Sequence, residues 1–162
     1  MKTDQLETPL QFNIMTKPKA FVSLMKLRLS SLVVLSAFFG FLMAKGDLNS
    51  LVMYSLLLGG LLITGSSNGF NQILEIKTDT LMSRTKNRAL PVQVISKIEA
   101  IIFCTIIGVL GLFFLYTINY KSMLLGLFSM IVYVLIYTPL KQKSAIAVFV
   151  GAIPGSIPPL LG

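Results

Sequence analysis

The sequence predicts an all-α protein, a multispan bundle of transmembrane helices. Its 162 residues are 54% hydrophobic and only 12% charged, and the mean hydropathy is +0.81, so the chain is far more apolar than a typical soluble domain. It also contains uncharged runs of the length that a helix needs to cross the hydrocarbon core, about 20 residues for about 30 Å. Every backbone amide inside hydrocarbon must be paired within its own segment, so the spans are expected to be helices rather than open sheet.

About five spans follow one another along the chain. The first, at roughly 21–44, is interrupted near its start by Lys26 and Arg28, whose long side chains can reach the headgroups. The next four contain no charged residue: 48–72, 100–118, 122–140 and 144–162. Residues 1–20 precede the first span and are mostly polar, so they are expected to form a cytoplasmic tail.

The basic residues predict the orientation of these spans. If the spans alternate in direction, twelve of the 14 Lys and Arg residues lie on one side of the membrane and two, Lys45 and Lys121, on the other. The positive-inside rule assigns the side with twelve basic residues to the cytoplasm. The N-terminus and the connection 71–97 are therefore expected on the cytoplasmic side of the cell (inner) membrane. The net charge of +8 then requires no nucleic-acid partner, while the lipid bilayer is an expected one.

A polar stripe begins this cytoplasmic connection. Asn71, Glu75 and Asp79 are spaced four residues apart, so on a helix they turn by only about 40° per step and share one face. An amide and two carboxylates suit Mg²⁺, which takes oxygen ligands and fills its other positions with water or substrate phosphate. Three cations, which can bind phosphate, alternate just beyond the stripe: Arg84, Lys86 and Arg88. The pattern indicates a site for a metal and a diphosphate; the alternative is a charged loop that only sets topology.

The same residues resemble a known family. Asn71, Glu75 and Asp79, followed by MSRTKNRALP at 82–91, resemble the first metal–diphosphate motif of the UbiA-type intramembrane prenyltransferases, specifically the protohaem IX farnesyltransferases (haem O synthases). Three further segments, at 26–44, 137–144 and 150–162, resemble the first span of that family, the end of its fourth and the start of its fifth. The chain departs from the pattern at Glu75, where many members have Asp, and at Lys77, where many have another acid.

The resemblance implies an activity. Members transfer the farnesyl group of farnesyl diphosphate to a vinyl group of haem B, which gives haem O, with Mg²⁺ assisting the ionisation of the diphosphate. Asn71, Glu75 and Asp79 would be the catalytic residues and the ligands of Mg²⁺. Five cations would bind the diphosphate: Lys77, Arg84, Lys86, Arg88 and Lys141. A downstream haem-processing or oxidase-assembly partner is also expected.

The resemblance further implies that residues 21–162 are the N-terminal part of one integral-membrane domain. The family has about nine spans of about 20 residues each and a second, Asp-rich motif after the sixth. This chain is therefore expected to be an N-terminal half, truncated in its fifth span and inactive by itself.

Two aromatic residues are candidates for a catalytic contact. Tyr133 and Tyr137 lie one helical turn apart, and their rings can stabilise an allylic cation, although anchoring at the membrane interface explains them as well.

Two alternative functions remain open, a prenyltransferase of the same superfamily acting on a quinone or chlorin ring, and a non-catalytic multispan protein.

Overall fold

A computed structural model of the protein describes residues 16–48 and 50–162, and all regular structure within them is helical, as predicted. In chain order the elements are α1 (Lys17–Leu24), α2 (Leu27–Met43), α3 (Leu51–Leu74), α4 (Ile76–Leu81), α5 (Lys97–Ile118), α6 (Tyr120–Ile131), a π-helical segment (Val132–Tyr137), α7 (Thr138–Leu140) and α8 (Ala147–Leu161). Most of the predicted tail, residues 1–15, lies outside the described residues. Its last four residues, 17–20, are helical and form the first half of α1.

Three or four candidate membrane spans lie within the described residues, against the five predicted. Three helices are long and apolar enough to cross a membrane, namely α3, α5 and the continuous helix Tyr120–Leu140, and the pair α1–α2, bent by 40°, makes a fourth if it is one span. Helix α8 is apolar and continues to Leu161, the last residue but one of the sequence; its 15 residues are fewer than the 18 or more of the three candidate spans. Helix α8 begins three residues after the start of the predicted span at 144, because residues 144–147 form a turn. The predicted count of five is therefore not confirmed.

The first predicted span is broken at Lys26. This residue has a left-handed backbone conformation, with φ of 47°, which costs a residue with a Cβ about 1–2 kcal/mol. Side chains satisfy the carbonyl groups that the break frees: Gln72 Nε2 donates to the Leu24 carbonyl at 2.9 Å, and Ser30 Oγ donates to the Met25 carbonyl at 2.7 Å. Polar residues of α3 that the sequence placed at the end of a span thus hold the bend between α1 and α2.

Helices α3 and α5 pack backbone against backbone. A Cβ on Gly111 would lie 2.9 Å from the backbone nitrogen of Ile63, and one on Gly59 would lie 3.1 Å from the carbonyl oxygen of Gly111. Small residues at such a crossing allow the close approach on which helix association in membranes depends. This contact fixes α3, which carries the first residue of the polar stripe.

Polar caps determine where the later helices begin. Ser96 and Glu99 form a capping box that starts α5 at Lys97, three residues before the predicted span. Asn119 accepts a hydrogen bond from the Ser122 backbone N–H at 2.7 Å at the start of α6. Both caps satisfy backbone N–H groups that a helix leaves unpaired at its first turn.

Candidate functional site

The three residues of the polar stripe lie where α3 meets α4. Asn71 is in the last turn of α3, Glu75 occupies the break between the helices, and Asp79 is in α4. The stripe therefore crosses a break between two helices at Glu75. The helical spacing nevertheless continues, because the Glu75 N–H donates to the Asn71 carbonyl at 3.0 Å and the Asp79 N–H donates to the Glu75 carbonyl at 2.8 Å.

Each residue of the stripe contacts a cation from a later part of the chain. Lys141 Nζ donates to Asn71 Oδ1 at 2.8 Å and lies 2.9 Å from Glu75 Oε1. Arg88 Nη1 donates to Asp79 Oδ2 at 2.8 Å. The side chains of Glu75 and Asp79 are only 12% and 7% exposed, so these ion pairs are shielded from most solvent screening. The structure thus brings two of the five predicted diphosphate-binding cations to the predicted metal ligands.

The other three predicted cations are not brought to the stripe. Lys77, Arg84 and Lys86 are exposed, and none of the ion pairs among residues 16–48 and 50–162 includes them. They lie on the surface of α4 and of the turns that follow it. Their predicted contact with a diphosphate remains a prediction.

The π-helical segment sets the position of Lys141. Within it the Thr138 N–H donates to the carbonyl of Tyr133, five residues earlier, and the Thr138 hydroxyl lies 2.9 Å from that carbonyl and 3.0 Å from Asn71 Oδ1. Thr138 is 1% exposed, and its single hydroxyl proton can serve one of these oxygens at a time. Short π-helical turns are rare and frequently occur at functional sites. Thr138 was not among the site residues predicted from the sequence, where its only signal is its place three residues before Lys141.

Two tyrosines connect this polar cluster to a cavity. The Tyr133 and Tyr137 rings stack with centroids 5.2 Å apart, and Lys141 Nζ lies 5.5 Å from the Tyr137 centroid. Tyr133 also lines a cavity of about 330 Å³, which is within the size range of small-molecule sites, about 300–1,000 Å³. Most of its other lining side chains are apolar and come from α2, α3 and α8, among them Leu29, Leu32, Val33, Ile63, Pro154 and Pro158.

Lys26 is a further charged residue of this region. Its electrostatic interactions are with both acids of the stripe and with the two cations that pair with them, Glu75, Asp79, Arg88 and Lys141. The sequence analysis assigned Lys26 only to the membrane headgroups. No local pattern could have shown its position, because the contacts that hold its left-handed backbone come from Asn68 and Gln72 of α3, more than 35 residues away in the sequence.

The oxygen ligands of the stripe suit a hard divalent cation. Asn71, Glu75 and Asp79 offer one amide and two carboxylate groups, and Mg²⁺ sites commonly contain one or two carboxylates together with substrate phosphate. No group of three or more His, Cys, Asp or Glu side chains is placed for a metal within the part of the chain that the structure describes. A metal held by the stripe would therefore complete its coordination with water or a bound phosphate.

Comparison with known proteins identifies the family. Residues 33–162 match the model of the UbiA prenyltransferase family. The chain is 44% identical over 142 residues to a protein of Christiangramia forsetii named "Protoheme IX farnesyltransferase", an alignment that covers 88% of this chain and 47% of that protein. It is 42% identical over 145 residues to the Flavobacterium psychrophilum protein of the same name, with 88% and 48% covered.

A relative from Arabidopsis thaliana, named "Protoheme IX farnesyltransferase, mitochondrial", is 37% identical over 149 residues, with 89% of this chain and 34% of the relative covered. The chain spans about half the length of the bacterial relatives. No solved structure matches it. The family match covers most of the chain and includes every residue of the polar stripe, and the chain accordingly belongs to the UbiA prenyltransferase family.

Proposed function

We propose that the protein containing this chain transfers the farnesyl group of farnesyl diphosphate to a vinyl group of haem B. Diphosphate leaves and water adds to the vinyl group, which gives the hydroxyethylfarnesyl side chain of haem O. The observation that carries the proposal is the polar stripe with its two cations, which the stacked Tyr133 and Tyr137 connect to a largely apolar cavity. The names of the relatives supply the acceptor and the prenyl group. Residues 21–162 would form part of a single integral-membrane domain, in the cell (inner) membrane, with residues 71–97 on the cytoplasmic side.

The two ends of farnesyl diphosphate require different surroundings. The diphosphate is anionic and would bind at the polar cluster, where Arg88 offers the bidentate geometry that phosphate oxygens favour and Lys141 a point charge. The farnesyl chain is apolar and would occupy the cavity that begins at Tyr133. The exposed cations Lys77 and Arg84, together with Lys86, would attract the diphosphate to the membrane surface before it binds.

The ion pairs of the stripe would be exchanged when a diphosphate binds. Lys141 pairs with Glu75, and Arg88 pairs with Asp79. When a diphosphate binds, the two cations can move to its oxygens, which frees Asn71, Glu75 and Asp79 to hold Mg²⁺. The metal would offset the charge that develops on the departing diphosphate. This exchange makes metal and diphosphate binding mutually dependent.

The stacked tyrosines would contact the carbon from which the diphosphate departs. Tyr133 lines the cavity, and Tyr137 lies between it and Lys141. An aromatic face attracts a cation electrostatically, so the pair would stabilise positive charge on the allylic carbon. The ring rather than the hydroxyl would carry this effect.

The direct test is a transfer assay with the product of the complete gene, purified in detergent. With haem B, farnesyl diphosphate and Mg²⁺, we expect haem O, identified by its mass, and we expect EDTA to stop its formation. Transfer to a hydroxybenzoate but not to haem B would assign the protein to another acceptor in the same family. An absence of EDTA-sensitive transfer to either acceptor would contradict an enzymatic role.

A further inference from the structure

The backbone at Lys26 is held in its unfavourable conformation by several buried contacts. Asn68 Nδ2 donates to Ser30 Oγ at 3.1 Å, and Ser30 Oγ donates to the Met25 carbonyl at 2.7 Å, directly before Lys26. Gln72 Nε2 donates a hydrogen bond to the carbonyl of Leu24 at 2.9 Å. Ser30, Asn68 and Gln72 are 0%, 6% and 4% exposed. Strained positions that the surrounding structure enforces tend to occur at functional sites.

The charges near Lys26 do not balance. Glu75 is paired with Lys141, and Asp79 is paired with Arg88. The backbone just before Lys26 is bonded to Gln72, the neighbour of Asn71, so Lys26 lies near these four groups, but it belongs to none of the ion pairs among the described residues. The five side chains therefore carry three positive and two negative charges, and the unmatched positive charge is that of Lys26.

We propose that Lys26 binds the anionic phosphate group of a ligand at this site, as a third cation beside Arg88 and Lys141. The ligand class is an isoprenoid diphosphate, so the inference rests on the proposed function and adds a residue to it. Lys26 immediately precedes α2, and Leu29, one turn further along α2, lines the cavity. One short stretch of α2 would thus contact both the charged and the apolar part of the ligand.

The left-handed conformation of Lys26 allows its charge to be removed without damage to the fold. Glycine adopts this conformation without a steric penalty, so Lys26→Gly should keep the bend between α1 and α2 and melt at or above the temperature of the unsubstituted protein. Lys45 is a matched control, because it is also a lysine in the left-handed region, with φ of 58°, and follows the other end of α2. Lys26→Arg retains the charge.

The experiment measures the binding of inorganic diphosphate in the presence of Mg²⁺ to the protein in a neutral detergent, by calorimetry. We expect Lys26→Gly to weaken binding about tenfold, the loss of one charged contact of about 1.4 kcal/mol. We expect Lys45→Gly to bind like the unsubstituted protein and Lys26→Arg to stay within about threefold of it, since Arg also binds phosphate oxygens. The readout requires neither haem nor prenyl transfer.

The outcomes separate this inference from the proposed function. Equal diphosphate affinities for Lys26→Gly and Lys45→Gly would overturn the role of Lys26 and leave the other two cations in place. If the unsubstituted protein bound no diphosphate, both proposals would fail. An anionic lipid headgroup offers the same phosphate chemistry, so the binding of phosphatidylglycerol is measured in parallel, and a loss confined to the lipid would refute the diphosphate assignment. A diphosphate loss together with a failed transfer assay would uphold Lys26 and remove only the farnesyl transfer.

Discussion

Replacing Asp79 by Asn is the most informative change in the polar stripe. The side chain keeps its shape and loses its charge, while the Asp79 carboxylate now pairs with Arg88 at 2.8 Å. If Asp79 is a metal ligand, the loss of its charge should lower turnover by about 100-fold or more, the usual cost of removing a group that stabilises developing charge. We also expect the Mg²⁺ concentration for half-maximal rate to rise.

The cost in stability follows from the exposure of the pair. Removing one partner of a fully buried pair costs about 3–5 kcal/mol, whereas exposed pairs contribute about 0–1 kcal/mol. Asp79 is 7% exposed but Arg88 is 30% exposed, so water can reach the guanidinium. The Asn amide oxygen can still accept a hydrogen bond from Arg88. We therefore expect Asp79→Asn to lower the free energy of unfolding by about 1–2 kcal/mol, between these limits.

The single cysteine provides the assay. Cys104 is 0% exposed, so a thiol-reactive fluorescent dye labels it only as the protein unfolds on heating. Glu99→Gln is the matched control, because Glu99 also forms an ion pair, with Lys17 at 2.7 Å, but is 38% exposed. Gln can replace Glu in the capping box with Ser96, so its melting temperature should hardly change. A melting temperature of Asp79→Asn at or above that of Glu99→Gln would refute the reasoning about burial, and near-normal turnover would remove the metal role.

Substitutions at Gly111, Thr138 and Tyr133 test the packing and the site. Gly111→Ala should lower the free energy of unfolding by about 1–3 kcal/mol through overpacking, whereas Gly60→Ala, whose added Cβ has its nearest neighbour at 3.6 Å, should not; equal melting temperatures would contradict the close helix contact. Thr138→Val removes a hydroxyl bonded to Asn71 and should raise the Mg²⁺ concentration that turnover requires. Thr138→Ser keeps a hydroxyl and should need the normal Mg²⁺ concentration; if it does not, the hydroxyl does not support the metal site. Tyr133→Phe should retain turnover because the ring remains, and unchanged turnover in Tyr133→Leu would end the proposed ring contact.

The sequence was sufficient for the helical class and for the polar stripe, because both depend on local patterns. Long uncharged runs predict membrane helices directly, and the four-residue spacing of Asn71, Glu75 and Asp79 persists in the structure. It was not sufficient for the helix boundaries. The capping box at Ser96 is visible in the sequence and would have corrected the start of α5, but the sequence analysis did not use it.

The remaining differences come from contacts between distant residues. Whether Lys26 continues a helix or breaks it depends on Gln72, which satisfies a carbonyl 48 residues away. Likewise, nothing local distinguishes Lys141, which reaches Asn71 from 70 residues away, from the exposed Lys86. The prediction of membrane orientation counted every Lys and Arg alike. Only the three-dimensional packing shows that Arg88 and Lys141 contact the stripe.

The π-helical segment also sets the rotational phase of the helix Tyr120–Leu140. A wider turn accommodates one residue more than an α-helix would, and one residue corresponds to 100° of rotation. The residues before it face α5 and α8 in one phase, and Thr138 and Lys141 face α3 in another. If residues 132–137 formed a regular α-helix with the same number of residues, Lys141 would be turned by about 100°, away from Asn71. In this helix the width of one turn, as much as residue identity, determines which side chains meet at its end.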